Sequence, residues 1–197
     1  MLDKYGVGHD SYCYPDSNVL VNLLNIKEAD ALAEAEAELT AARYETYESL
    51  KLSPVDFSFE HLQHLHNHLF QDVYEWAGKL REVNISKGKT RFCTWSRIQP
   101  EARKLFAAIP ELVTISREAE LLTKIADLYC EMNILHPFRE GNGRVQRFFF
   151  EELLFTLGYD LKWPKIPKEE WINANIAGYE TDLKPLESIF TQALTKR

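Results

Sequence analysis

His136-Pro137-Phe138-Arg139-Glu140-Gly141-Asn142-Gly143-Arg144-Val145-Gln146-Arg147 is the stretch on which the fold turns, because it joins two strongly apolar helical patterns. Upstream, Leu121, Ile125, Leu128, Met132 and Leu135 recur at helical spacing, which predicts a helix over 116–135 that is buried on most sides. Proline disfavours helical backbone in the residue before it, so His136-Pro137 should stop that helix. Downstream, Phe148, Phe149, Phe150, Leu153 and Leu154 predict a second helix from near Asn142 toward Gly158, placing the loop and its helix at 136–157. A base, an acid, two glycines around an amide and two arginines one turn apart therefore meet between two core helices.

Helical periodicity also marks 26–52 (Leu32, Ala35, Leu39, Ala42, Leu50), closed by Ser53-Pro54. It marks 58–76 as well (Leu62, Leu65, Leu69, Val73, Trp76), with Gly78 where a C-terminal cap is expected. Shorter helices are expected near 100–109, 168–177 and 182–194. Over 80–95 the period changes. Leu80, Val83 and Ile85, a turn-like Ser86-Lys87-Gly88-Lys89, and then Phe92, Cys93 and Trp95 predict a two-stranded hairpin. The expected architecture is all-α, a helical bundle with one β-hairpin, in a single domain over 1–197.

At 197 residues, with apolar side chains at 45% and charged ones at 27%, the composition is that of a globular protein able to bury a sizeable core. A formal net charge of −7 argues against nucleic acid or an anionic membrane as partner, because phosphate contacts demand excess Lys and Arg. Small molecules and proteins remain. Cys13, Cys93 and Cys130 form no C-x-x-C pair and are odd in number, which fits a reducing bacterial cytoplasm better than a disulfide framework. The beginning of the chain is polar and turn-rich, and no apolar run approaches the ~18 residues of a membrane span, so delivery elsewhere would need another system.

Each part of the 136–147 stretch suits a phosphate-bearing ligand. Gly141 and Gly143 let the backbone come close to an anion, and the N–H groups opening the next helix point at it with a favourable dipole. Arg144 and Arg147 project from one helix face and can fork onto successive phosphates. Glu140, just ahead of this cradle, offers a hard oxygen to Mg²⁺ held against the same phosphates. His136 can take a proton from an attacking hydroxyl at neutral pH. Singly, each has a plainer explanation: a turn, a structural histidine, a solvated face. Together they point to attack of a hydroxyl on a nucleotide phosphate. Neither a P-loop nor a G-x-G-x-x-G fingerprint occurs.

The stretch resembles, at every fixed position, the signature His-x-Phe-x-(Asp/Glu)-Gly-Asn-Gly-Arg-x-x-Arg of the Fic family. Asp72-Val73-Tyr74-Glu75-Trp76-Ala77-Gly78 is similar to the family's stretch ahead of its hairpin, the flap, and the resemblance covers about residues 10–190. It implies the mainly helical Fic fold and AMPylation: AMP passes from ATP to a Tyr, Ser or Thr hydroxyl of a target protein, with release of pyrophosphate. By position it implies His136 as base, Glu140 as Mg²⁺ ligand, and Asn142 on the α-phosphate beside the Gly141 and Gly143 backbone. Arg144 and Arg147 would hold the β- and γ-phosphates, and Phe138 would anchor the loop in the core. The flap edge Lys89, Thr90, Arg91, Phe92 and Cys93 is implied as the strand on which the target docks.

Some Fic proteins transfer phosphate, phosphocholine or UMP instead; the phosphotransferring branch departs from the second glycine, which is intact here as Gly143. A vestigial binding module is the non-enzymatic alternative, against which the joint presence of His136, Glu140, Asn142, Arg144 and Arg147 stands. The short form resembles the toxins of toxin–antitoxin pairs, which by analogy implies the ATP-binding subunit of a type II topoisomerase as target. Family control works through a (Ser/Thr)-x-x-x-Glu-(Gly/Asn) segment whose glutamate meets the second arginine. Glu140 is the only glutamate here followed by Gly or Asn, and His136 stands four residues before it. That implies a separate small antitoxin protein supplying the inhibitory glutamate.

Two other clusters have bland expectations. His61, His64, His66 and His68 suggest a metal site, and 61, 64 and 68 share one flank of their helix near Asp72, but with no cysteine among them the flank is expected to be solvated. The acidic, alanine-rich run 28–38 is expected to be a solvated helix face.

Overall fold

The computed structural model describes residues 11–50 and 52–197. Along them run α1 (Ala29–Glu45), α2 (Phe59–Phe70), β1 (Ser86–Lys87), β2 (Thr90–Arg91), α3 (Ile98–Ala107), α4 (Glu118–Leu135), α5 (Asn142–Thr156), β3 (Tyr159–Leu161), α6 (Lys168–Tyr179), α7 (Lys184–Ala193) and β4 (Leu194–Lys196). Short 3₁₀ turns at Pro54–Asp56, Trp95–Arg97 and Ile109–Thr114 link some of them. None of the described helices is long and apolar enough to cross a membrane.

The helix that follows the motif is the structural axis. α5 packs on α2 and α4, and Val145, Phe148, Phe149, Phe150, Leu153 and Leu154 are all buried, so it presents apolar surface in nearly every direction. Each large side chain fully withdrawn from water there contributes about 1.5–3 kcal/mol. α1 covers α2, α3 lies on α4, and α6 and α7 pack together against the far side of α4. The first residues of α5 and the last of α4 are thereby fixed at one end of the bundle, with the motif loop between them.

Several expected boundaries shift for identifiable reasons. The helix expected over 26–52 stops at Glu45: the Thr46 amide closes the last helical bond onto the Ala42 carbonyl (3.1 Å), its hydroxyl bonds the same carbonyl (2.9 Å), and its own backbone (φ −95°, ψ 5°) has left the helix. Leu50 therefore lies outside it, half exposed. The helix expected over 58–76 begins as read, with the Ser58 hydroxyl accepting from the His61 amide (3.2 Å), but ends at Phe70. Residues 71–77 form turns instead, and Gly78 at φ +78° folds the chain back against α2 rather than capping it. A Cβ there would meet the Asn67 Cβ at 2.8 Å.

The hairpin is real but shorter and displaced. Ser86 pairs with Arg91 and Lys87 with Thr90 around Gly88-Lys89, so two residues assigned to the turn are strand and residues 80–85 are not. A second antiparallel pair, β3 with β4, joins the end of α5 to the C-terminal residues. Three-residue strands are too short for alternation to show in the sequence.

Candidate active site

α4 ends at Leu135 and His136 caps it in the left-handed region (φ +40°), a conformation uncommon for any residue but glycine. Its amide still bonds the Met132 carbonyl (3.2 Å), while its ring leaves the helix and is mostly buried. Nδ1 lies 2.9 Å from the Asn133 carbonyl oxygen, an acceptor only, so Nδ1 carries the hydrogen and Nε2 carries the lone pair. The Phe92 ring stacks on the imidazole with centroids 3.7 Å apart and planes 12° apart.

The loop that follows is held from within. Phe138 is fully buried, its amide donates to the Asn142 Oδ1 and its carbonyl accepts from the Asn142 Nδ2, each at 2.8 Å. The Asn142 side chain thus bonds the Phe138 main chain through both its oxygen and its nitrogen. Gly141 sits at φ +78°, with its amide on a Glu140 carboxylate oxygen (2.9 Å). The amides of Asn142 and Gly143 precede the hydrogen-bond ladder of α5, so they are the donors a helix offers an anion.

The two arginines differ. Arg144 is tied to α1: it pairs with the Glu36 carboxylate, donates to the Thr40 hydroxyl (3.3 Å) and lies over the Phe70 ring (4.7 Å). Tyr74 donates its hydroxyl to the same Glu36, and burial and then that carboxylate push the phenol's pKa up. Glu36 is buried, which corrects the solvated face expected for 28–38: it follows Leu32 by four residues and lies on the buried side of α1. The Arg147 side chain has no hydrogen bond or ion pair among the described residues, and its Nη1 comes within 3.7 Å of where a Gly143 Cβ would stand. Both arginines line one cavity of about 340 Å³ between α1 and α5. A larger cavity, about 800 Å³ and bordered by Tyr44, Phe57 and Phe155, holds none of the motif's polar residues.

Glu140 is mostly buried, and one of its oxygens stands 3.8 Å from an Arg144 nitrogen. A single hard carboxylate suits Mg²⁺, which takes one or two protein oxygens and completes its shell with phosphate and water. On the flap, Lys89 is at the tip, Thr90 and Arg91 form β2, and Phe92 and Cys93 follow. The Phe92 and Cys93 amides are already spent, on the Ile85 carbonyl (3.3 Å) and the Ile134 carbonyl (2.9 Å).

Two residues support the loop in ways the sequence does not show. His66 is fully buried between the Phe138 and Phe70 rings (3.8 and 4.6 Å); Nδ1 accepts from the Gly78 amide (2.8 Å) and Nε2 donates to the Glu140 carbonyl (3.0 Å). Burial pushes its pKa down to about 3, so it braces the loop as a neutral ring. Its place four after Leu62 and three before Leu69, on the apolar stripe, was the available signal. Arg81 is buried beneath the flap, and nothing in its sequence surroundings marks it. The solvated histidine flank also needs correction: His61 is buried with its Nε2 2.9 Å from Glu152, His68 lies 2.8 Å from the Arg43 carbonyl, and only His64 is exposed.

Residues 56–154, from the start of α2's approach through most of α5, match the Fic/DOC family profile. The chain belongs to the Fic/DOC family. The probable protein adenylyltransferase Fic of Salmonella typhimurium is 43% identical over 199 residues, spanning 100% of this chain and 98% of that one. Protein adenylyltransferase VbhT of Bartonella schoenbuchensis is 32% identical over 99% of this chain, which matches 41% of that longer protein. Among solved structures, the ADP-bound N-terminal Fic domain of a VirB-translocated effector from Bartonella quintana superposes with a TM-score of 0.83 at 28% identity, covering 94% of this chain and 95% of that one. The mainly helical architecture with its flap is the Fic fold, and the enzyme class is nucleotidyltransferase.

Proposed function

We propose that the chain moves AMP from ATP to a Tyr, Ser or Thr hydroxyl of a target protein. The observation that carries this is the His136 imidazole, oriented by the contact of its Nδ1 with the Asn133 carbonyl, one loop away from the cradle at the start of α5. The hydroxyl oxygen attacks the α-phosphorus, its proton passes to His136 Nε2, the α–β phosphoanhydride bond breaks, and pyrophosphate leaves with the bonding pair. Asn142 and Gly143 amides and Arg147 meet the growing charge on the phosphates, while the Asn142 side chain keeps the loop in shape. Arg144 stands beside them, aimed by Glu36 and Thr40. Glu140 is the residue that would hold Mg²⁺, whose chemistry here is neutralisation of phosphate charge. The target segment adds along the flap at Lys89, Thr90 and Arg91, with Phe92 and Cys93 securing the flap's base.

Control by a separate antitoxin belongs to the same proposal. Arg147 is open within the described residues, whereas Arg144 is engaged, and no internal glutamate carries the inhibitory pattern. A partner protein's glutamate meeting Arg147 would compete with the terminal phosphate for the same fork.

The test is incubation of the purified chain with Mg²⁺ and a bacterial lysate, using ATP labelled at the α- or at the γ-phosphate. Label should enter protein from the α position alone. His136→Ala should lower transfer by at least about 100-fold while the affinity for a non-hydrolysable ATP analogue stays within about threefold. Label arriving from the γ position, or undiminished labelling by His136→Ala, would overturn the reading.

A further inference from the structure

Arg81 has an exposure of only 1%, yet the transfer mechanism makes no use of its charge. Its guanidinium donates through Nε to the His136 carbonyl (2.8 Å), through Nη1 to the Val83 carbonyl (2.6 Å), and through Nη2 to the Cys93 and Leu135 carbonyls (2.5 and 3.4 Å). Its own amide donates to the Pro137 carbonyl (2.9 Å). Val83 and Cys93 flank the two strands of the flap, whereas Leu135, His136 and Pro137 are the end of α4 and the start of the motif loop. A planar fork with donors at fixed angles can serve both sets at only one relative placement, a constraint no ammonium group imposes. Its positive charge also lies at the carbonyl end of α4, where the helix dipole favours a cation.

Other contacts cross the same seam. The Cys93 amide donates to the Ile134 carbonyl (2.9 Å), and Phe92 stacks on the His136 ring. Holding His136 in the left-handed region opposes these contacts, and such a conformation persists only where its surroundings over-determine it. Arg81 bonds the carbonyl of that strained residue directly.

We propose that Arg81 is a positioning residue that couples the flap to the catalytic loop, fixing the separation of the target-docking strand from the His136 imidazole. The proposal rests on the adenylyl-transfer reading for what the coupling serves, but not for its physical content. Flap, α4 terminus and His136 form one unit that opens together. The bonds of this fork go to Val83, Cys93, Leu135 and His136 rather than to the nucleotide cradle or Arg147, so nucleotide affinity and transfer should separate when the fork is lost.

Hydrogen exchange on the unsubstituted whole chain tests the unit. The Cys93 amide should exchange within about tenfold of the His136 amide, since both would open in one event. In Arg81→Lys and Arg81→Gln, Cys93 exchange should accelerate at least about tenfold, with Lys the milder change. Affinity for a non-hydrolysable ATP analogue with Mg²⁺ should stay within about threefold, while AMP transfer to lysate proteins falls at least about tenfold. Cys93 exchanging about 100-fold faster than His136 in the unsubstituted chain would overturn the coupling, and needs no variant to fold. Nucleotide affinity and transfer falling in step would also overturn it, by making Arg81 a general support. An unsubstituted chain that transfers no AMP would instead count against the function, and the exchange comparison would still decide the coupling.

Discussion

Gly141 and Gly143 look equivalent in the motif, yet the structure assigns them different physical work, and alanine at each position separates the two. Gly141 sits at φ +78°, and a Cβ there would stand 2.2 Å from Cζ of Phe70, a ring with no exposure. Forcing an L-residue into the left-handed region costs about 1–2 kcal/mol. Overpacking against a buried ring costs about 1–3 kcal/mol more. Gly141→Ala should therefore lose about 2–5 kcal/mol, a large share of the ~5–15 kcal/mol that holds a typical domain together. Gly143 has no such φ, and the nearest atom to its would-be Cβ is the Arg147 Nη1 at 3.7 Å, an ordinary contact. In the first turn of α5, alanine should leave stability unchanged or raise it by up to about 1 kcal/mol. If the Gly143 backbone lies against phosphate, the same methyl group should nevertheless weaken binding of a non-hydrolysable ATP analogue and slow transfer. Urea unfolding measures the first effect of each substitution and calorimetric titration the second. A loss below about 1 kcal/mol for Gly141→Ala would refute the steric argument. Unaltered analogue affinity and transfer in Gly143→Ala would remove the close approach from the mechanism.

Glu36→Gln and Arg144→Gln, combined in a double-mutant cycle, should show a coupling of about 1–3 kcal/mol in urea unfolding; the value stays below that of a fully buried pair because the Arg144 side chain is 31% exposed. Strict additivity would mean that the pair stabilises nothing. His66 supplies a pH signature: its folded pKa, about 3, lies below the unfolded value of about 6.5, so the unfolded chain binds the proton first. Stability should fall as pH drops from about 6.5 toward 3, by roughly 1.4 kcal/mol per unit from this residue, and be fully present above that window. His66→Gln should flatten the stability–pH curve by that slope; parallel curves for the two proteins would show that His66 is not buried neutral.

The parts of the fold legible in the sequence were those with long, regular apolar spacing. The end of α4 at Leu135 and the beginning of α5 at Asn142 fall where the period and Pro137 put them. Boundaries failed where the backbone left the helix with no proline or glycine to announce it, as at Thr46, and where a long-range contact engaged the chain, as when the Arg81 amide bonds the Pro137 carbonyl. The candidate site divides in the same way. Its reactive groups lie within twelve consecutive residues, so spacing exposes them. Its supports do not: Arg81 reaches His136 across 55 positions, His66 reaches Glu140 across 74, and Glu36 reaches Arg144 across 108.

None of those three residue types is unusual on a helix or beside a hairpin, so composition says nothing of their burial. Yet a loop containing a left-handed histidine and a left-handed glycine needs more than the Asn142 bonds to Phe138 to hold one shape. The His66 ring fills the space behind Phe138, Arg81 bonds the carbonyls at the end of α4, and Glu36 fixes where Arg144 points. The catalytic parts are contiguous because one loop and the first turns of α5 carry them all. The parts that brace them from outside come from α1, α2 and the flap, adding to the Asn142 bonds that hold the loop from within.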